Sequence, residues 1–153
     1  MNRIESFKVD HIKLERGVYV SRIDGDVVTY DIRMKKPNGG DYLENASLHT
    51  IEHLFATYVR NSRYSEQVIY FGPMGCRTGF YLVMRESVTK AEVLMLIADA
   101  LKFIADYKDK IPGCSEEECG NFREHNLKGA NAEADEMLKV LIDWNVSKMK
   151  YAD

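Results

Sequence analysis

The chain has 153 residues, a length that favours one domain of ordinary size, and we expect that domain to span residues 1–153. Apolar residues make up 45% of the chain and charged residues 29%, which excludes a disordered or fibrous protein. The net charge of -3 and the pI near 5.8 argue against a nucleic-acid binder, and no apolar run approaches the ~20 residues that cross a bilayer.

The N-terminal segment and the cysteine count indicate where the chain works. Residues 1–11 are charged and lack the apolar stretch of a secretory signal. Three cysteines are an odd number, and they fit a reducing compartment better than a disulfide framework. We therefore expect a cytoplasmic protein that binds neither membranes nor nucleic acid.

The first half of the chain is rich in predicted strands. Residues 18–35 have the pattern of a hairpin, and Asp24-Gly25 supplies its turn. Two further strands are predicted at residues 67–72 and 79–85, with an irregular connection at residues 72–77. The second arm of the hairpin places four apolar residues on one face: Val28, Tyr30, Ile32 and Met34.

Three helices are predicted, at residues 46–61, 90–109 and 131–145. Thr89 and Glu92 form a capping-box pattern at the start of the second helix. The last helix carries apolar residues at helical spacing: Ala134, Met137, Leu138, Leu141 and Trp144. Because strands cluster early and helices late, the chain is predicted to be α+β, an antiparallel β-sheet covered on one face by helices in a single domain.

The first predicted long helix carries two histidines, His49 and His53, which are four residues apart and therefore stack on one face. This face lies away from an apolar stripe formed by Leu48, Ile51, Leu54, Phe55, Tyr58 and Val59. Two imidazoles at this spacing can chelate one divalent ion, and Glu52 between them can act on a ligand of that ion as an acid or base. The alternative is a surface helix with two solvated histidines.

A catalytic metal site of this type needs a third protein ligand and leaves one position open. The candidates are Cys76, Cys114, Cys119 and His125. We favour Cys119, because Gly120 lets the backbone turn closely around a ligand. A lone cysteine is more often a small buried apolar residue, and Cys114 is the weaker choice.

Cys76 lies in the Gly- and Pro-rich connection between two predicted strands, next to Arg77. A nearby cation favours the thiolate form, and a thiolate can act as a general base or a nucleophile. A structural thiol in a tight turn fits the spacing equally well.

The order of these motifs resembles the S-ribosylhomocysteine lyase (LuxS) family, from about residue 3 to about residue 145. The segments that carry the resemblance are residues 5–11, 31–33, 49–54, 72–81 and Cys119-Gly120. The resemblance implies a homodimer that converts S-ribosyl-L-homocysteine to L-homocysteine and 4,5-dihydroxy-2,3-pentanedione, the precursor of autoinducer-2 in quorum sensing. It also implies Fe²⁺ as the native metal, with Zn²⁺ or Co²⁺ able to substitute.

The resemblance assigns a role to each matching residue. It implies that the metal ligands are His49, His53 and Cys119, and that the acid/base pair is Glu52 and Cys76. Three further positions match residues that line the substrate pocket of the family: Ser6, His11 and Arg33. In the family each pocket lies at the dimer interface and uses both chains.

The sequence departs from the family in one segment near the site. The commoner family form before Pro73 is Asp-Ile-Ser, whereas this chain has Tyr70-Phe71-Gly72, so an acidic substrate contact is not carried over. Cys114 matches no family ligand and receives no role.

Two other classes of protein use related ligand patterns. An inverzincin-like peptidase also has H-x-x-E-H, but normally takes a downstream glutamate as its third ligand. A structural zinc domain would use His49, His53, Cys114 and Cys119, and would leave Glu52 without a purpose.

Overall fold

The computed structural model describes residues 1–152, which form four strands and four α-helices. The strands are β1 (Gly17–Asp24), β2 (Val27–Arg33), β3 (Val68–Pro73) and β4 (Gly79–Arg85). The helices are α1 (Glu5–Lys8), α2 (Asn45–Arg60), α3 (Lys90–Asp106) and α4 (Leu127–Leu141). Single turns of 3₁₀ helix occur at Ser65–Gln67 and Val146–Lys148.

The sheet of the described chain has the order β1-β2-β4-β3, and each neighbouring pair is antiparallel. Between β1 and β2, Gly25 adopts a φ of 60°, a left-handed conformation that glycine reaches without strain. The predicted hairpin and both later strands are therefore confirmed.

The helices α2, α3 and α4 contact one another, and α2 packs against the sheet. Side chains alternate between the two faces of a strand, so alternate residues of β2 and β4 point toward the helices. The core that results includes Val28, Tyr30, Ile32, Met34, Phe80, Leu82 and Met84. The other face of the sheet carries Asp31, Arg33 and Tyr81. The predicted fold class, an antiparallel sheet covered on one face by helices, is confirmed.

The apolar stripe of α2 is confirmed at its centre, where Ile51, Leu54 and Phe55 are buried in the core. The capping box at the start of α3 is also confirmed. Thr89 Oγ1 accepts a hydrogen bond from the Glu92 backbone N–H, and the Glu92 carboxylate accepts one from the Thr89 N–H.

The boundaries of two helices were predicted wrongly. Helix α3 ends at Asp106, three residues before the predicted end, and α4 runs from Leu127 to Leu141 instead of residues 131–145. Asn126 explains the earlier start, because its side chain accepts a hydrogen bond from the Gly129 N–H as an N-cap. Trp144 lies beyond α4, where its ring packs against Gly17 and its Nε1–H donates to the Val18 carbonyl.

The short helix α1 was not predicted from the sequence. Across the described residues, no helix has both the length and the apolar character needed to span a membrane.

Candidate functional site

The two histidines of α2 lie side by side, next to the loop formed by residues 107–126. Their ring centroids are 4.6 Å apart and the rings are nearly perpendicular, with an interplanar angle of 88°. The opposite side of the helix is anchored in the core, so its packing fixes where both imidazoles lie.

Backbone carbonyls of the loop set the tautomer of both histidines. His49 Nδ1 is 2.8 Å from the Glu124 carbonyl oxygen, and His53 Nδ1 is 2.8 Å from the Pro112 carbonyl oxygen. A carbonyl can only accept, so each Nδ1 carries the proton and donates it. The Nε2 lone pair of each ring is left available for a metal.

Cys119 completes a group with the spacing of metal ligands. Its Sγ is 3.4 Å from His49 Nε2 and 3.8 Å from His53 Nε2. A nitrogen at ~2.1 Å and a sulfur at ~2.3 Å from one tetrahedral ion would lie about 3.6 Å apart. These three side chains therefore fit one divalent ion.

His125 is the fourth member of this group. The ligand atoms of His49, His53, Cys119 and His125 all lie within 4.8 Å of one another, and the His125 ring stacks on that of His49 with centroids 4.0 Å apart. Cys114 is not a member, contrary to the ligand set of a structural zinc domain.

The His125 ring presents an unpaired nitrogen to the group. Thr50 Oγ1 donates to the Ala46 carbonyl and accepts from His125 Nδ1 at 3.0 Å, which leaves a lone pair on His125 Nε2. That nitrogen is buried and has no hydrogen-bond partner within the described part of the chain. A bound cation would supply the missing positive partner, so the orphaned nitrogen supports the fit of a metal.

The pKa of His125 is lowered from 6.5 to about 4. Burial is the larger cause, and charge repulsion from His49 and His53 adds to it. At neutral pH the ring is therefore uncharged, which is the form in which histidine binds a metal.

Glu52 lies beside this group, as the helix spacing predicts. It lines a shallow cavity together with His53, Phe71, Pro112 and Gly113. Gly113 has a φ of 71°, and a Cβ there would lie 3.2 Å from His53 Nδ1. The loop therefore needs glycine at this point to turn against the imidazole.

A second cavity, of about 440 Å³, contains the other residues singled out in the sequence. It is formed by the N-terminal segment, the end of β2 and the connection between β3 and β4. The predicted residues that line it are Ser6, His11, Arg33 and Cys76. The structure thus brings the predicted substrate contacts and the predicted thiol together, while their roles stay predictions.

The guanidinium of Arg33 is held in place inside this cavity. Its Nε and Nη2 donate to the two carboxylate oxygens of Asp31 at 3.1 and 2.8 Å, and both side chains are buried. Burial alone would lower the pKa of Arg33, but the hydrogen bonds and charge of Asp31 outweigh it and raise the pKa. Arg33 Nη1 donates to Thr78 Oγ1 at 2.8 Å, and that hydroxyl is 3.0 Å from Cys76 Sγ.

The two clusters occupy different parts of one chain. The cavity around Cys76 is lined by none of the four residues that could hold a metal, and Glu52 belongs to the other cavity. The structure of a single chain therefore does not bring Cys76 to the four side chains that could hold a metal, which are called the metal group below.

The segment that departs from the family pattern lies on β3. The phenol of Tyr70 covers the backbone of Gly72, where a Cβ would collide with its hydroxyl and ring. Gly72 in turn pairs with Tyr81 of β4. The segment therefore presents a phenol at this edge of the sheet and contributes no carboxylate.

Sequence reasoning missed two residues of the site's surroundings. The sequence offers His125 only as one of four candidates for the third ligand, because its distance along the chain gives no sign that it lies beside His49. Asp31 appeared only as part of a motif, although its spacing of two from Arg33 on a strand places both on one face.

The fold and these clusters define an α+β protein with a group of side chains that could bind a metal ion. The model of the S-ribosylhomocysteinase (LuxS) family matches residues 4–148. The S-ribosylhomocysteine lyases of Clostridium acetobutylicum and Borreliella afzelii are each 44% identical to this chain, and each alignment covers at least 99% of both proteins. That of Porphyromonas gingivalis strain ATCC 33277 is 46% identical over 94% of this chain and 93% of its own length.

The chain belongs to the S-ribosylhomocysteinase (LuxS) family and is an enzyme of the lyase class.

Proposed function

We propose that this enzyme cleaves S-ribosyl-L-homocysteine to L-homocysteine and 4,5-dihydroxy-2,3-pentanedione. The observation that carries the proposal is the group of His49, His53 and Cys119, whose donor atoms have metal-ligand spacing in a chain that matches the lyase family over residues 4–148. The native metal is Fe²⁺, with Zn²⁺ or Co²⁺ able to substitute. When bound, the ion supplies Lewis-acid polarisation of the sugar carbonyl and its neighbouring hydroxyl.

The side chains of the enzyme move the protons of this reaction. The ribosyl ring opens to an aldehyde at C1, and the Cys76 thiolate transfers protons between carbons as the carbonyl moves from C1 to C3. Glu52 transfers the matching protons between the oxygens. Cys76 then removes the proton from C4, and the homocysteine thiolate leaves C5 by β-elimination. Two isomerisations and one elimination need neither a redox partner nor an organic cofactor.

The second cavity supplies the contacts that hold the substrate. Arg33 is a fixed cation with its charge balanced by Asp31, while Ser6 and His11 provide further polar groups in the cavity wall. The cytoplasm suits the reaction because reducing conditions keep thiols free, and Cys76, Cys114 and Cys119 are all unpaired in the described chain.

The active enzyme is a homodimer in which one chain supplies Cys76 and the other supplies the metal group. Two observations support this arrangement. The two clusters lie apart in one chain, and apolar side chains are exposed near the Cys76 cavity and on β3, with Phe7 65% and Tyr70 55% exposed. A second copy would cover this surface and complete each site.

The function is tested by measuring thiol release from S-ribosylhomocysteine with anaerobically purified protein, with the metal content of the same sample determined. We expect catalytic release of one homocysteine per substrate in proportion to bound metal. Metal-loaded protein that releases no thiol would refute the proposed reaction.

The shared site is tested by mixing two inactive variants, Cys76→Ala and His53→Ala, after dissociation and reassociation. Half of the dimers are then mixed, and each has one intact site if the two clusters come from different chains. We expect about a quarter of the wild-type activity to return. Mixed dimers that form but remain inactive would show that each site uses one chain alone.

A further inference from the structure

The C-terminal segment after α4 passes the edge strand β1, where the Met149 carbonyl accepts a hydrogen bond from the Val20 N–H. Its Tyr151 then lies on the sheet face opposite the helices. The Tyr151 ring stacks on Tyr19 of β1, with centroids 5.2 Å apart and an interplanar angle of 24°. Its hydroxyl donates to Asp31 Oδ2 at 2.7 Å and is also hydrogen-bonded to the Ser21 side chain. The phenol therefore lies directly over a buried carboxylate.

Asp31 transmits this contact to Arg33. Its Oδ2 accepts from both Tyr151 and Arg33 Nη2, while its Oδ1 accepts from Arg33 Nε. Asp31 is 0% exposed, so these donors replace the water that would otherwise solvate the carboxylate. Without the phenol hydroxyl, Oδ2 loses one of its two donors, and the carboxylate is freer to rotate away from the guanidinium.

The hydroxyl of Thr78 connects Arg33 to Cys76. Arg33 Nη1 donates to Thr78 Oγ1, which leaves the proton of that hydroxyl free to point toward Cys76 Sγ. The proposed reaction requires Cys76 as a thiolate, which can only accept a hydrogen bond, and Thr78 is then its donor. The orientation of the guanidinium therefore decides how well the hydroxyl is polarised toward the sulfur.

We propose that Tyr151 is a positioning residue of this enzyme, which fixes Asp31 and, through Arg33 and Thr78, holds Cys76 ready for proton transfer. The inference rests on the proposed function, in which Cys76 moves protons at carbon. Tyr151 is not among the residues that line the Cys76 cavity, so it acts only through the residues it contacts.

The test compares Tyr151→Phe, which keeps the stacked ring and loses only the hydroxyl, with wild type. Tyr64→Phe is the matched control, because its hydroxyl also donates a hydrogen bond to a carboxylate, that of Glu92, and Tyr64 lines neither of the two cavities described above. Three quantities are measured: the rate of iodoacetamide alkylation of Cys76 by peptide mass spectrometry, kcat and KM for thiol release, and the unfolding midpoint. Alkylation and kinetics are measured well below that midpoint.

For Tyr151→Phe we expect alkylation of Cys76 to slow and kcat to fall by about fivefold, because a displaced proton-transfer group loses its alignment. Tyr64→Phe should leave both within twofold of wild type. Unchanged alkylation and kcat in Tyr151→Phe would overturn the proposal, even if its unfolding midpoint falls. A lower kcat with unchanged alkylation would also overturn it, because the path would then not reach Cys76.

The alkylation measurement separates this inference from the function on which it rests. Wild-type protein that releases no thiol would refute the proposed reaction. In that case a slower alkylation of Cys76 in Tyr151→Phe would still show that the path from Tyr151 reaches the thiol.

Discussion

At the scale of single residues, hydrogen bonds at Nδ1 of His49 and His53 leave the Nε2 lone pair of each ring free to bind a metal. The carbonyls of Glu124 and Pro112 hold protons on the Nδ1 atoms of His49 and His53. These contacts orient both rings in the protein alone, so little freedom would be lost on binding a metal ion. Without these contacts, two histidines one turn apart on a helix would sample several rotamers.

Cys76→Ala and Glu52→Gln each remove one proposed proton-transfer group without touching a metal ligand. We expect both variants to fold and bind metal like wild type, and to lose ~10²–10⁴-fold in turnover. Thiol release and metal content are measured on the same preparations. Turnover within tenfold of wild type in either variant would contradict the role assigned to that residue.

His125→Gln tests the fourth member of the metal group. Loss of the imidazole removes the ring that stacks on His49 and the buried nitrogen that faces the group. We expect the affinity for Zn²⁺ to fall by about 10- to 100-fold, a typical effect of losing a group that orients metal ligands. Competition with a chromophoric chelator measures the affinity. An unchanged affinity would exclude His125 from the metal group.

At the scale of elements, the start of α4 connects the loop of residues 107–126 to α2. Asn126 follows His125 directly, and its side chain accepts from the Gly129 N–H while donating to Glu44 at 3.1 Å. Its backbone N–H donates to Thr50 Oγ1, the same hydroxyl that His125 contacts. One capped helix end therefore places the loop against the helix that carries the histidines.

Asn126→Ala removes this cap, and we expect it to lower the free energy of unfolding by about 1 kcal/mol. The metal affinity should fall as well, because residue 125 loses its fixed neighbour. Asn126→Ser keeps an acceptor at the cap and should retain most of the stability. Urea unfolding of the metal-free proteins measures the first effect. A loss of stability as large in Asn126→Ser as in Asn126→Ala would show that capping is not the cause.

At the scale of the whole molecule, several tyrosines around the sheet are buried or half-buried. Burial raises the pKa of Tyr30, and burial followed by the charge of Asp31 raises the pKa of Tyr19, Tyr81 and Tyr151. A raised pKa means that the fold favours the protonated phenol. The unfolded chain releases these protons near the ordinary tyrosine pKa of about 10, before the folded chain does.

The stability contributed by these phenols is therefore complete below pH ~10 and is lost as the pH rises above it. Each phenol that ionises only in the unfolded chain adds a slope of about 1.4 kcal/mol per pH unit to this loss. We expect urea unfolding to show a steep fall between pH 10 and 11, and a shallower one in Tyr151→Phe. Equal slopes for the two proteins would contradict the raised pKa of Tyr151.

The open face of the sheet is also a property of the whole molecule. The helices α2, α3 and α4 pack on the other side, so the polar pair of Asp31 and Arg33 stays on the opposite face, where Tyr151 contacts Asp31. The same architecture explains why the helix histidines and Cys76, close in the proposed reaction, are apart in one chain.

Local patterns in the sequence determined much of this protein. Alternation predicted the sheet strands, and the spacing of four between His49 and His53 predicted their common face, because both follow from the repeat of the backbone itself. The boundaries of α4 and the place of Trp144 could not be predicted this way. They depend on the position of Asn126, which is held by its contacts with Glu44 and Thr50, and on the contact between Trp144 and Gly17. Both sets of contacts join residues that are far apart in the sequence.

Only the tertiary structure decided which distant residues meet. It places Cys119 and His125 beside the α2 histidines, although about 70 residues separate them from His49 along the chain. It also places Tyr151 over Asp31, a contact across 120 residues. Such contacts follow from how the loop and the C-terminal segment fold back on the sheet and helices, and no short-range periodicity of the chain encodes them.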